Sequence, residues 1–328
     1  MKKLLAGLSA ALALAGCREG QPVLFAHSLE AEAIARLAWV LFLGGGAILL
    51  LVVAAVWTAI RGPSAMRRYL ATPRMVIAGG VAFPAVVLTA LLFLNVTLMH
   101  SAARAPSDKP GIVPITVSGE QWWWRVAYAA PGGAAFESAN EIRIPVGRDI
   151  VFTLRSADVI HSFWIPSLGG KVDMVPGRDT RLRVHATRPG VFRGPCAEYC
   201  GGAHALMALQ VTAIQPHEFD AWLSGEGADA APVQSESARE GQRLFLASGC
   251  GTCHAVRGTP AAGTIGPDLT HFASRRSIGA DTLPIDRGNL LRFIAEGQKV
   301  KPGNRMPEFR IFSPGQHDAL ATYLLGLR

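Results

Sequence analysis

Two stretches of this chain, Leu37 to Ile60 and Met75 to Met99, run without a single charged residue. About twenty apolar residues in a helix cover the hydrocarbon core of a bilayer, and both stretches exceed that length. They predict a transmembrane helical hairpin. The loop between them holds Arg61, Arg67, Arg68 and Arg74 and no acidic residue, so the positive-inside rule places it in the cytoplasm and both long flanks outside. Half of the residues are hydrophobic and 17% are charged, and the apolar ones are concentrated before position 100.

The first sixteen residues have the layout of an export signal: Lys2 and Lys3, an apolar run from Leu4 to Leu14, then Ala15 and Gly16 before Cys17. Residues 1–16 are expected to be removed. Leu14-Ala15-Gly16-Cys17 resembles the lipobox of bacterial lipoproteins, which implies that Cys17 is the lipidated first residue of the mature chain; an ordinary signal with an incidental cysteine is the alternative. Export puts Cys196, Cys200, Cys250 and Cys253 in an oxidising compartment. The net charge of +8 suits acidic lipid or nucleic acid, and export removes nucleic acid as a partner.

From about Ile115 to Ile214 the hydrophobic pattern switches to period two, as in Asp149-Ile150-Val151-Phe152-Thr153-Leu154, with turns at Pro145-Val146-Gly147 and Arg188-Pro189-Gly190. That reads as a β-sandwich. Around Gly225 to Ser237 the composition is that of a flexible linker. Ser237 with Glu240 predicts a helix containing Leu244 and Phe245 and ending near Gly249. A second helix is expected over Asn289–Glu296, and a third from Ser313-Pro314, with Leu320, Tyr323 and Leu324 on one face. The expected layout is an N-terminal segment with two spans (17–105), a β-domain (106–224), a linker (225–236) and a small helical domain (237–328). About ninety residues bury little core without a stapled cofactor.

The segment Cys196-Ala197-Glu198-Tyr199-Cys200-Gly201-Gly202-Ala203-His204-Ala205-Leu206-Met207 gathers two thiols, an imidazole and a thioether. Soft sulfur with imidazole suits copper that cycles between oxidation states. A Cys196–Cys200 disulfide leaves His204 and Met207 unexplained; zinc is the other alternative, though methionine is a poor zinc ligand. The motif resembles the dinuclear CuA site of cytochrome c oxidase subunit II at almost every position, and Asp158 to Lys171 resembles the family segment whose histidine completes the site. The resemblance implies that Cys196 and Cys200 bridge two coppers, His161 and His204 terminate them, and Met207 and the Glu198 carbonyl are weaker ligands. It also implies that the Glu198 side chain helps hold a magnesium ion at the junction with subunit I. Glu120-Gln121-Trp122-Trp123-Trp124-Arg125 resembles the family's aromatic segment, in which Trp122 is where electrons reach copper; Trp123 and Trp124 read as packing. The family fold is two membrane helices followed by a cupredoxin-like β-sandwich.

Cys250-Gly251-Thr252-Cys253-His254 is the c-type haem attachment signature, in which two thiols bond the haem and the histidine becomes an axial ligand. A thioredoxin-like redox pair needs an α/β context, and this tail reads as helical. Lys301-Pro302-Gly303-Asn304-Arg305-Met306-Pro307 resembles the cytochrome c loop that presents a methionine, here Met306, to the opposite haem face; His/Met ligation raises the reduction potential. Pro267 is expected to orient His254 through its carbonyl, and His271 is a rival axial ligand.

Together the motifs resemble a caa-type haem–copper oxidase subunit II with a fused cytochrome c domain. The implied route runs from an external donor, such as a cytochrome c or a quinol–cytochrome c reductase, to haem c, to CuA, to subunit I, with subunit III as a further partner and oxygen reduced in subunit I. The implied location is the bacterial inner membrane, with the large domains on the periplasmic side. From Ser237 onward twelve Lys and Arg face seven Asp and Glu, a net of +5, so the donor is expected to present an acidic face. Many relatives carry a glutamate near the start of the second span, where this chain has Ile77 and no acidic residue between Arg61 and Gly80. This departure implies that proton entry by that route is missing here or is supplied by subunit I. The rivals are a self-standing membrane-anchored electron carrier, a copper assembly or storage protein, and a quinol oxidase subunit.

Overall fold

The computed structural model describes residues 22–103, 111–129 and 135–328. The signal segment 1–16 and Cys17 lie outside the described residues. Two compact units divide the chain, residues 33–109 and the remainder.

In the first unit, helix α1 (Leu29–Arg61) is followed by the short helices α2 (Ser64–Leu70) and α3 (Pro73–Ile77), a π-helical turn over Ala78–Ala82, and helix α4 (Phe83–Ala103). Helix α1 has 33 residues, about 50 Å at the helical rise, which exceeds the hydrocarbon thickness. Side chains such as Leu43, Leu50, Trp57, Val86 and Phe93 are exposed, and a helix apolar on every face calls for lipid or protein around it. The second stretch long and apolar enough to span is Pro73–Thr97. Thr72 caps α3 by accepting from Met75 N. The π-turn holds Gly79 and Gly80 and begins immediately after Ile77.

The second unit begins with a β-sandwich. One sheet has the order β3-β2-β1-β5-β8 and the other β4-β10-β9, built from β1 (Val113–Glu120), β2 (Trp123–Ala129), β3 (Ala135–Ala139), β4 (Glu141–Pro145), β5 (Asp149–Ser156), β8 (Thr180–His185), β9 (Gly190–Pro195) and β10 (Ala208–Ile214). Strands β1 and β5 pair in parallel, as do β4 and β10; the remaining pairs are antiparallel. The period-two pattern does what it predicts: Ile150, Phe152 and Leu154 point inward with Ile115, Val117, Ile142, Ile144 and Val211. A short pair, β6 (His161–Phe163) with β7 (Val172–Met174), stands beside the sandwich. Helix α5 (Pro216–Glu226), which the sequence pattern did not mark, closes one end; Trp222 packs edge-on to Tyr128 with ring centroids 5.1 Å apart.

The haem-motif region forms its own core. Helices α6 (Glu236–Ala247), α7 (Cys250–Cys253), α8 (Arg287–Val300) and α9 (Pro314–Leu324) are joined by loops that include a two-residue pair, β11 (Ser277–Ile278) with β12 (Leu283–Pro284). The tail is thus mainly, though not purely, helical. Phe245 meets Tyr323 across α6 and α9 at 5.6 Å, and Leu290, Ile294, Leu320 and Leu324 complete the packing. Ser313 caps α9, as expected, and forms a capping box with Gln316. At α6 the sequence expectation needs correction: the cap is Ser235, whose side chain accepts from Ala238 N, and Ser237 lies inside the first turn. The stretch with linker composition is bonded to this core. Arg257 donates to the carbonyls of Glu226 (2.5 Å) and Ala228 (3.3 Å), and Ala230 N donates to Arg257 O.

Candidate functional site

Three elements converge on the two cysteines near β9. Phe163 in β6 bridges to Cys196, Ala197 N donates to Ser162 O, and Cys196 N donates to Met207 O. The loop therefore leaves β9 at Cys196, turns through a 3₁₀ turn at His204–Leu206 and rejoins β10 at Met207. The sulfurs of Cys196 and Cys200 stand 3.8 Å apart as free thiols, far beyond the roughly 2.05 Å of a disulfide. Around them lie His161 Nδ1, 3.8 Å from Cys196 Sγ; His204 Nδ1, 3.5 Å from Cys200 Sγ; Met207 Sδ, 3.8 Å from Cys200 Sγ; and the Glu198 carbonyl, 3.3 Å from Cys196 Sγ. Each residue that the sequence singled out for copper is thus within reach of one of the two sulfurs.

The surroundings prepare these donors. His161 is fully buried, with Nε2 2.8 Å from Asp158 Oδ1, which leaves Nδ1 toward the sulfurs. Burial alone would lower the His161 pKa, but the Cys196 sulfur and Asp158 outweigh it and raise it. The Cys200 thiol bonded to Cys196 holds Cys196 well below the usual thiol range, while the same contact pushes Cys200 up. Metal binding takes cysteine as thiolate, and the lowered Cys196 value favours that form. Two free thiols, two imidazoles, a thioether and a carbonyl fit a pair of coppers better than a four-ligand zinc site.

Trp122 is half-buried beside this loop. Its Nε1 donates to Cys200 O at 3.0 Å, and Gln121 Nε2 donates to the same carbonyl at 2.8 Å. Trp124 is in the core, edge-on to Phe163, and Arg125 lies 4.7 Å over the Trp123 ring, so both are packing residues. The Glu198 carboxylate is partly exposed, 3.8 Å from Lys171 Nζ.

In the haem-motif core, His254 Nδ1 is 2.7 Å from the Pro267 carbonyl. That bond makes Nδ1 the protonated nitrogen and leaves Nε2 as a free donor, the tautomer that an iron ligand needs. Burial lowers the His254 pKa and keeps the ring neutral. A Cβ at Gly266 would stand 2.6 Å from His254 Cε1, so only glycine lets that loop lie along the imidazole. Cys250 and Met306 both pack against this core, and Met306 N donates to Asn304 Oδ1. The residues fit a covalently held haem. His271, the rival ligand, has Nε2 3.2 Å from the Ala228 carbonyl.

The haem-motif core meets the copper-motif loop directly. A Cβ at Gly303, whose φ is +81°, would lie 3.2 Å from two carbons of the Trp122 ring, so the Met306 loop rests on the indole. Arg125 Nη2 donates to Thr264 O at 2.8 Å, and Glu141 Oε1 accepts from the amides of Arg276 and Ser277. Sequence patterns gave no sign of these contacts, nor of Lys301, whose Nζ donates to Leu206 O.

Two family models match stretches of this chain. Residues 132–214 match the family described as cytochrome c oxidase subunit II, periplasmic domain, and residues 238–328 match the cytochrome c family. The chain is 39% identical over 229 residues to cytochrome c oxidase subunit 2 of Alkalihalophilus pseudofirmus, covering 69% of this chain and 65% of that protein, just under two thirds of its length. It is 33% identical to cytochrome c oxidase subunit 2 of Bacillus sp. strain PS3, covering 74% of this chain and 68% of that one. Among solved structures, the periplasmic domain of subunit II of cytochrome oxidase from Bradyrhizobium japonicum is 33% identical over 34% of this chain and 91% of its own, with a TM-score of 0.33. This chain therefore belongs to the cytochrome c oxidase subunit II family, in the form that bears a cytochrome c domain on the same polypeptide.

Proposed function

We propose that the chain is the electron-accepting subunit of a membrane-bound terminal oxidase, taking electrons through a covalent haem c and passing them through a dinuclear copper centre to a haem–copper partner subunit that reduces oxygen. When bound, the copper pair and the haem each accept and release one electron with little change in geometry. The chain's residues supply the rest. Cys196, Cys200, His161, His204, Met207 and the Glu198 carbonyl would hold the copper pair; Cys250 and Cys253 would tether the haem, with His254 and Met306 as its iron donors. Asp158 and Pro267 fix the ring orientation of His161 and His254. Trp122 relays electrons to the copper loop through its bond to Cys200.

The observation that supports this best is the convergence of two imidazoles, a thioether and a carbonyl on two free sulfurs 3.8 Å apart. The reading extends to a two-span anchor with the large domains outside, lipid on Cys17, magnesium held partly by the Glu198 carboxylate, subunits I and III as partners, and a soluble or reductase-bound donor. Electron paramagnetic resonance with metal and haem quantification on the full chain, matured with the haem-attachment machinery, tests it. A seven-line mixed-valence signal with two coppers and one haem per chain is expected; a single-copper or copper-free spectrum would reduce the protein to a tethered cytochrome.

A further inference from the structure

Lys301 follows α8 and precedes the turn that lies on Trp122. It is 3% exposed. Its Nζ donates to Leu206 O at 2.8 Å and Gly279 O at 2.7 Å. Leu206 lies between His204 and Met207, while Gly279 begins the turn joining β11 to β12. Among the described residues no carboxylate pairs with this ammonium. Burial without a carboxylate partner pushes the Lys301 pKa down to about 7, and a methionine of similar length would fill the space without that cost.

The turn that Lys301 braces is itself strained. Gly279, Ala280 and Asp281 have φ of 67°, 62° and 63° in succession, and two of them carry a Cβ in the left-handed region, at roughly 1 kcal/mol or more each. The polar groups of this turn are directed at β9, β10 and the loop that joins them. Ala280 O accepts from Ala208 N at 3.1 Å; the Asp281 carboxylate accepts from Arg193 Nε at 2.7 Å and Gln210 Nε2 at 2.6 Å; Thr282 Oγ1 donates to Leu206 O at 3.3 Å. Strain and charge burial thus meet at one seam between the β-sandwich and the haem-motif core.

We propose that Lys301 is a positioning residue: its ammonium ties the copper loop to the 279–282 turn and holds Gly303 against Trp122, so that electrons cross between the two centres at one fixed separation. This rests on the electron-transfer reading given above. In the step concerned, one electron leaves ferrous haem, which becomes ferric, and reduces the oxidised copper pair by one; no bond forms and no proton moves. The tie acts on distance and not on the chemistry of either centre.

The test uses the full chain within its oxidase complex, as wild type, Lys301→Met and Lys301→Arg. Haem-to-copper electron transfer is followed after flash reduction, and amide hydrogen exchange is measured across residues 206–208 and 280–283. Lys301→Met is expected to slow transfer by about tenfold or more, as small misplacements of reacting partners do, and to speed exchange at both segments. Lys301→Arg should recover part of the rate, with copper and haem spectra at wild-type intensity in all three. An unchanged rate or unchanged exchange in Lys301→Met would overturn the proposal, as would a slowing matched by loss of copper or haem. If Lys301→Met fails to fold, Asp281→Asn loosens the same seam from the other side and is judged by the same two outcomes. Failure of the electron-transfer reading would show instead as a wild-type chain without the mixed-valence signal, while the exchange comparison would still decide the tie.

Discussion

Trp122 is bonded on one side and covered on the other: its indole N–H donates to the carbonyl of Cys200 at 3.0 Å, and Gly303 of the Met306 loop lies against its ring. The indole therefore joins the haem-bearing core to a copper-loop cysteine through one hydrogen bond and one van der Waals contact. Trp122→Phe keeps the ring and loses the bond, which at a typical net value costs about 1 kcal/mol of stability. Flash-reduction kinetics should show slower haem-to-copper transfer in this variant, with the copper spectrum retained. Transfer as fast as wild type would remove Trp122 from the route.

At Gly266 there is no room for a side chain, since a Cβ would press on His254 Cε1 at 2.6 Å. Gly266→Ala should tilt the imidazole off the Pro267 carbonyl and destabilise the haem core by about 1–3 kcal/mol, the usual cost of overpacking. The haem absorption bands and reduction potential should shift, while the copper resonance stays in place. Both are read from one redox titration.

Asp149 gives a pH dependence remote from either centre. Burial pushes its carboxyl up, but hydrogen bonds from His185 (2.7 Å) and Arg183 (2.9 Å) outweigh this and hold it below the usual carboxylate range. A lowered folded pKa means that the unfolded state binds the proton more readily, so the stabilisation is present above the unfolded value of 3.8 and is lost as pH falls through the folded one. Asp149→Asn should be less stable than wild type at neutral pH. In denaturant melts of the full chain, that difference should shrink below pH 3.8.

Two serines near the start of α6 separate a true cap from a sequence look-alike. Ser235 accepts from Ala238 N at 3.1 Å, so Ser235→Ala should cost about 1 kcal/mol. Ser237→Ala should be close to neutral. Thermal melts followed at the haem band would distinguish them, and equal effects would contradict the observed cap.

The haem-bearing region has a net charge of +5, which favours a donor with an acidic face. Turnover with an external donor should fall as ionic strength rises, because exposed charges are screened within about 8–10 Å at physiological salt. Turnover that does not respond to salt would rule out an acidic donor face.

The candidate copper and haem donors were legible because most of them lie within short stretches whose spacing suits that chemistry: Cys196 to Met207, and Cys250 to His254. The sandwich was legible from alternation, since each inward residue of β5 must be apolar. The seam between the sandwich and the haem-motif core was not. Lys301 is a lysine in a polar loop until the Leu206 carbonyl, 95 residues earlier in the chain, is brought to it. Ser237 misled because Glu240 follows it at capping-box spacing, while Ser235 has no such partner and still takes the cap. Helix α5 went unmarked because its cap is Gln215, a residue type that rarely begins a helix.

The segment between α5 and α6 is short and held by Arg257 at Glu226 O and Ala228 O. On such a leash a donor cannot diffuse away, and a short tether sets a local concentration on the order of millimolar. Reduction of the acceptor becomes a first-order event whose speed is indifferent to how many carriers the cell makes. Scarcity of the external donor would then limit how often the bound haem is refilled, never how quickly it discharges.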